Sequence, residues 1–430
     1  MREKIIAMAL LLPSAAVAQN YTLDDCRRLA IENNVTMQKV QNEVYIANEQ
    51  RKRAQANFYP QVSASAYAFD AFKPMLSLDV SELGLEQFGI EEQKLEYMRR
   101  GATAEVTVVQ PVWAGGQIIN NHKLAKVSMD ASLLKQMRTE RDVKLQTDNY
   151  FWQVVTLTEK LKTIQQADSM LNQLHKDVQS ALDNGLKTRN DLLRVELQQN
   201  ENAANRSQIE KSLQISCLLL AQFIGVSTDV LQINYHCNMN ELPAFPLELK
   251  CDHEAVLSQT VDYKLLSKNV EAGLLNLKLE KSKLKPQIGI GASYSYSHFS
   301  GINNKGGMVF ATMSIPISSW WTENHAVKAK RKELETARAE LSDKQSMMLI
   351  NMKRAWNEVE DAYNRLELAH KSIKQADENL RISYNQYNYG RATMTELLDA
   401  QMKTQQMKDK YVDAFAELMI TMTAYENAVN

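Results

Sequence analysis

The chain has 430 residues, with 50 basic and 51 acidic side chains and a formal net charge of −1. Charges of both signs are interspersed, so it carries no electrostatic footprint for nucleic acid. Only 14 glycines and 8 prolines, with 23% charged residues, exclude a loop-rich globule and favour long solvated helices in copies of one elongated unit.

Residues 1–18 read as a secretory signal: basic Arg2 and Lys4, an apolar run from Ile5 to Leu12, then Ala16-Val17-Ala18 before Gln19. The rest of the chain is therefore expected outside the cytoplasm. The first cysteine, Cys26, is not at the cleavage point, so no acylated N-terminus is expected. Beyond the signal, the longest apolar run is Cys217 to Ala221, far short of the ~20 residues of a spanning helix. Any membrane-spanning part has to be built of β-strands.

Tyr21 to about Tyr59 is a helical stretch opened by Thr22, with Asp24 and Asp25 in its first turn to suit the helix dipole. After Pro60 the period changes to two: Val62, Ala64, Ala66 and Ala68 alternate with Gln61, Ser63, Ser65 and Tyr67. After Pro286 the same pattern returns more strongly. Ile288, Ile290, Ala292, Tyr294 and Tyr296 fill one face, and Gln287, Gly289, Gly291, Ser293, Ser295 and Ser297 the other. An apolar face backed by a small polar one suits a transmembrane barrel strand, and equally a half-buried strand of a soluble sheet.

Each strand has a partner. Ala102, Ala104, Val106 and Val108 precede Pro111; Val309, Ala311, Met313 and Ile315 precede Pro316, and the two prolines lie 205 positions apart. The expected strands are about 60–70, 101–111, 286–298 and 307–317. The first hairpin carries a longer loop, which includes acidic, helix-compatible Glu82 to Glu96; the second has a short one, Ser300 to Gly307.

From about Gly116 to Asn184, and again from about Thr322 to Tyr389, the pattern is helical, and ~68 residues at 1.5 Å each make ~100 Å. The second run has a coiled-coil seam: Leu334, Ala337, Leu341, Met348, Met352, Ala355, Val359, Ala362, Leu366, Ala369, Ile373, Ala376 and Leu380. Both runs end in matching turns. Gly185, Thr188 and Leu192-Leu193 recur 205 positions later as Gly390, Thr393 and Leu397-Leu398. The glycines are helix stops. Thr188 with Asp191, and Thr393 with Glu396, have the spacing of capping boxes that restart helices to about Ile224 and Val429. Asp399 lies outside the cap, three residues past Glu396 on the same helix face, with Arg194 as its first-copy counterpart. The two leucine pairs, with the glycines, are candidate partner contacts or the start of the return helices' seams.

The chain thus divides into a first repeat, 19–226, a linker, 227–250, and a second repeat, 251–430. Cys237 and Cys251 are a candidate disulfide beside the alternative of free thiols. No Cys/His metal spacing and no catalytic constellation occurs, so neither cofactor nor enzyme activity is expected. Four strands cannot close a barrel, because the smallest need about eight and open edges are not tolerated in lipid. A spanning chain must oligomerise, and the strand number alone leaves open how many copies.

Phe58-Tyr59-Pro60-Gln61-Val62, Leu284-Lys285-Pro286-Gln287-Ile288, Val109-Gln110-Pro111-Val112-Trp113-Ala114-Gly115-Gly116 and the duplicated turns resemble the TolC-type outer-membrane efflux channels over about Tyr21 to Asn430. The resemblance implies an α+β homotrimer: a twelve-stranded β-barrel in the outer membrane of a Gram-negative bacterium, continued by a periplasmic α-barrel. It implies a passive exit duct whose tip an adaptor (membrane-fusion) protein opens for an inner-membrane RND- or ABC-type pump. It also implies that Asp191 and Tyr387 form a bond across neighbouring tips, and that Glu396 and Asp399 line the entrance. At the family's tip arginine this chain has Ala392, with Arg391 one residue earlier. The alternative is a soluble periplasmic coiled-coil adaptor whose strands form an ordinary sheet.

Overall fold

The computed structural model describes residues 19–73, 76–79, 94–97, 99–228, 231–235, 238–299 and 301–430. The signal-like stretch, Cys237 and Glu82–Gln93 of the acidic loop lie outside the described residues.

Strand β1 (Gln19–Tyr21) leads into α1 (Leu23–Asn33), whose start is a complete capping box: the Asp25 amide donates to Thr22 Oγ1 at 3.2 Å, and Asp25 Oδ2 accepts from the Thr22 amide at 3.2 Å. The helical stretch expected to reach Tyr59 is broken at Asn34, which is extended (φ −67, ψ 132), and resumes as α2 (Val35–Ala56). The break has a local cause. Asn34 Oδ1 accepts from the Thr36 amide at 2.8 Å, offering the backbone an alternative to the helix ladder.

Strands β2 (Gln61–Asp70) and β5 (Arg100–Trp113) flank a small hairpin of β3 (Leu76–Asp79) and β4 (Lys94–Tyr97). Lys94–Glu96, read as helix-compatible, is therefore strand: Leu78 pairs with Leu95 and Leu76 with Tyr97. Strand β5 runs two residues past Pro111, with a register irregularity there because proline has no N–H for the ladder. Helix α3 (Gln117–Asp183) has 67 residues and α4 (Arg189–Ile224) returns with 36. After β6 (Leu231–Ile233), paired parallel to β1, the second copy follows: α5 (His253–Leu257), α6 (Val261–Ser282), β7 (Gln287–Phe299), β8 (Ile302–Ser314), α7 (Ser319–Asn388, 70 residues) and α8 (Met394–Val429). Strand β8 starts five residues earlier than expected, because β7 stays paired up to Phe299↔Ile302.

Strands β2, β5, β7 and β8 form one antiparallel sheet in the order β2-β5-β7-β8. It lies in a unit comprising Glu43–Leu133 and Leu265–Ser342. The other unit contains residues up to Asn42, Leu134–Lys264 and Asp343–Asn430. Part of its core is the expected coiled-coil seam: Val359, Ala362, Leu366, Ile373 and Ala376 are buried, with Tyr411, Leu418 and Tyr425 of α8 against them.

The stretch read as a linker is a strap over this core. Tyr411 Oη donates to the Glu241 carbonyl at 3.0 Å, Tyr363 Oη donates to the Pro243 carbonyl at 3.1 Å, and Phe245 meets the rings of Tyr363 and Trp356 edge-on. The Cys251 thiol is free and half-buried, its sulfur 3.4 Å from Tyr425 Oη.

Asn33 and Asn34 also finish another helix. Their amides donate to the Ile224 and Phe223 carbonyls at 3.0 and 3.2 Å, satisfying groups that the end of α4 leaves without intrahelical partners. Gly225 follows with φ +74, and a Cβ there would stand 2.6 Å from Asn33 Cβ. Only glycine fits both the left-handed turn and the close approach.

Candidate functional site

The two tips are built alike. At the end of α3 the Leu186 amide donates to the Ala181 carbonyl at 2.8 Å and the Gly185 amide to Leu182 at 2.9 Å; at the end of α7 the Arg391 amide donates to Gln386 at 2.8 Å and the Gly390 amide to Tyr387 at 3.0 Å. These paired bonds, with Gly185 and Gly390 at φ +71 and +70, are Schellman motifs. Each following helix opens on a capping box. Asp191 Oδ2 accepts from the Thr188 amide and hydroxyl at 3.1 and 2.7 Å, and Glu396 Oε2 accepts from the Thr393 amide and hydroxyl at 2.7 and 3.1 Å.

Behind the caps lies a shared core. Leu192, Val195, Leu397 and Leu398 are buried with Leu171, Leu174, Val178, Met394 and Tyr387. Leu192, Leu397 and Leu398 are thus seam residues, because the tips bury their apolar side chains against each other. Of the two pairs only Leu193 is exposed, at 43%, and it is joined by Leu186 and Tyr389.

Tyr387 is also inside this core. Its hydroxyl is buried without a hydrogen-bond partner, and the Lys187 ammonium sits 3.9 Å from its ring centroid. Burial first, then the carboxylates of Asp191 and Asp177, push its pKa up to about 12. Asp191 is near Tyr387 within one chain, but its carboxylate is occupied by the cap. Asp399 is exposed and has no hydrogen bond or ion pair among the described residues. Its counterpart Arg194 donates to Thr395 Oγ1, tying the two tips together.

The sheet has its polarity inverted relative to a soluble sheet. Register carries one face across all four strands: Val62, Val108, Ala292 and Val309 form one row, and Ala64, Val106, Tyr294 and Gly307 the next. On this apolar face Ile290, Tyr294 and Val309 are 52%, 57% and 86% exposed, whereas on the polar face Gly289 and Gly291 are buried and Ser293, Ser295 and Ser297 half-buried. Water would penalise that arrangement, and hydrocarbon outside with water inside would favour it. Exposed aromatics bound the band: Tyr294 and Tyr296 towards the hairpin turns, Trp113, Trp320 and Trp321 at the helical end. Trp320 is also packed, its Nε1 donating to the Leu284 carbonyl at 3.0 Å.

Sequence reasoning missed a buried ion pair. Arg27 donates from Nε to Asp148 Oδ1 at 2.7 Å and from Nη2 to Oδ2 at 2.5 Å, and Thr423 Oγ1 donates to Oδ2 at 2.8 Å, joining α1, α3 and α8. Asp148 is completely buried, and the hydrogen bond to it holds Arg27 above the usual guanidinium range. The signal was present: Asp148 stands four residues before Trp152 and seven before Val155, on a buried helix stripe. Among the described residues no group of His, Cys, Asp and Glu is placed to hold a metal ion, and no helix is long and apolar enough to cross a membrane.

A sheet of paired hairpins with an exposed apolar face and, in the same chain, long helical hairpins with capped tips define the class of channel proteins that span a membrane by strands. Residues 27–226 and 258–428 match the family model described as outer membrane efflux protein, and the chain belongs to that family. In fold it is similar to the outer membrane protein VceC from Vibrio cholerae, with a TM-score of 0.77, 14% identity, and 95% of this chain and 96% of that one covered. The outer membrane channel CmeC from Campylobacter jejuni gives 0.77, 12% identity and coverages of 95% and 85%. MtrE from Neisseria gonorrhoeae, an outer membrane channel solved in its open state, gives 0.75, 13% and coverages of 95% and 88%. Comparison with curated protein sequences finds no match.

Proposed function

We propose that three copies of this chain close a twelve-stranded barrel in the outer membrane of a Gram-negative bacterium and continue it into the periplasm as an α-helical tunnel. The assembly is the passive exit duct of a tripartite efflux or secretion system. An adaptor protein docks at the tips and opens them, and an inner-membrane pump of the RND or ABC type supplies the energy. The observation that carries this reading is the inverted sheet, whose edges β2 and β8 are unpaired among the described residues. Such edges in lipid require neighbours to pair with, and a second and third copy supply them.

At the tips, Asp399 forms a ring of carboxylates lining the entrance, with Glu396 beside it. Tyr387 and Asp191 act at the gate by holding neighbouring tips closed. Leu193, Leu186 and Tyr389 are the apolar groups left for an adaptor to cover, and Gly185, Thr188, Gly390 and Thr393 shape the turns that present them. The test is direct. Purified protein should run as a trimer in detergent and open ion-conducting pores in a planar bilayer; a monomer without conductance, released from cells without detergent, would support a soluble adaptor instead.

A further inference from the structure

The apolar outward face ends abruptly near the hairpin turns. Its row of Ala66, Ala104, Tyr296 and Lys305 is followed by Ala68, Ala102, His298 and Asn303, and then by Asp70 paired with Arg100. All of these point the same way as Val309 and Ile290, towards lipid in the duct reading, on which this inference rests.

The polar groups here are organised. Tyr296 Oη donates to Asn303 Oδ1 at 2.9 Å, and His298 Nδ1 donates to the same oxygen at 2.7 Å. Two donors from β7 thereby converge on the Asn303 carbonyl oxygen, and its amide nitrogen makes no hydrogen bond among the described residues. The Lys305 ammonium stands 5.9 Å from the Tyr296 ring centroid, on the same face. Beside them is a cleft of about 500 Å³, floored by Ala68 and Ala102 and rimmed by Arg100 and His298. Asp70 is the one carboxylate among the described residues lining it.

A lysine and an arginine facing outward where the apolar band gives way to polar groups stand at headgroup level, where basic side chains attract anionic lipid. The alanine floor leaves room for an acyl chain beneath the basic rim. We propose that Arg100 and Lys305, with the Asn303 amide, bind the phosphate headgroup of an anionic lipid in the outer leaflet, the chain lying over Ala68 and Ala102. Because these side chains are on the outward face, closing the barrel leaves them directed towards the bilayer.

The full-length protein in neutral detergent is titrated with dioleoylphosphatidylglycerol, dioleoylphosphatidylcholine or glycerol 3-phosphate, and bound lipid is read by native mass spectrometry. The anionic lipid should bind about tenfold or more tighter than the zwitterionic one. The double variant Arg100→Gln/Lys305→Gln should lose that preference, while Lys328→Gln/Lys332→Gln on α7 should keep it. Equal binding of the two lipids by the unaltered protein, or a preference that survives Arg100→Gln/Lys305→Gln, overturns the proposal. Binding of glycerol 3-phosphate as tight as that of the anionic lipid also overturns it, assigning a free-phosphate site. Conductance of the same samples separates the two readings: pores without lipid preference refute only the lipid site, whereas absence of pores refutes the duct.

Discussion

Placing a lysine at Ala292 tests the inverted sheet most directly. Ala292 sits midway along the outward band, between Val108 and Val309 and two rows from either Ile288 or Tyr296. A lysine at the bilayer midplane of a barrel costs ~2–4 kcal/mol per chain, or ~6–12 kcal/mol over three chains. At ~3.3 Å per residue, the four residues to the Tyr296 level place the ammonium ~13 Å along the strand from the polar boundary, too far for full relief by snorkelling. Ser293, the next residue, faces the polar side between Thr107 and Met308. Ser293→Lys should therefore assemble normally and alter only ion selectivity. The assay is the fraction of heat-resistant trimer recovered after refolding into vesicles, followed by conductance. Ala292→Lys should abolish or strongly reduce trimer and Ser293→Lys should not. Equal yields from the two variants, or a failure of Ser293→Lys alone, would refute the assignment of faces.

Replacing Asp399 with Ala should weaken block of the pore by a multivalent cation such as hexaamminecobalt and leave trimer yield intact; unchanged block would remove the acidic ring. Gly225→Ala places a Cβ 2.6 Å from Asn33 Cβ at φ +74, adding a clash to the ~1–2 kcal/mol left-handed penalty. Its thermal midpoint by circular dichroism should fall further than that of Gly185→Ala, whose Cβ meets nothing within 4 Å. Burial raises the pKa of Asp409, opposed by the 2.8 Å hydrogen bond from Thr163. A raised folded-state pKa means that its stabilising contribution is full below the unfolded value of 3.8 and is lost as pH rises through the folded one. Asp409→Asn keeps the acceptor and should raise the thermal midpoint at pH 7, with the gain vanishing below pH 3.8; a gain of equal size at both pH values would contradict this.

Much of the fold was legible because its signals are local. Prolines 60, 111, 286 and 316 bracket period-two segments, and the long helices begin and end within a few residues of the positions expected from glycine stops and threonine caps. What was illegible depends on partners distant in sequence. The strap was read as linker because its residues have no period; their order comes from the Tyr363 and Tyr411 hydroxyls more than a hundred residues away. The helix break at Asn34 was missed because the residue does two tasks, turning its own backbone and capping α4. At the tips, Asp191 and Glu396 were readable as caps. Whether Leu192, Leu397 and Tyr387 are surface or core is settled by the packing of one tip against the other, which spacing alone does not encode.

The seam between β5 and β7, where the first copy meets the second, has a consequence for strands that are not paired within the chain. There Val106 stands opposite Tyr294. Counted back from Pro111 and Pro316, Val106 corresponds to Ala311 on edge strand β8; counted on from Pro60 and Pro286, Tyr294 corresponds to Ala68 on edge strand β2. The internal seam is thus a template for an external one: applied between copies, it would set Ala311 of one protomer opposite Ala68 of the next, with Met313 opposite Ala66 and Ile315 opposite Ala64. All six side chains fall on the outward face. A chain that duplicated before it oligomerised would have met in its own midline the joint it later made with its neighbours.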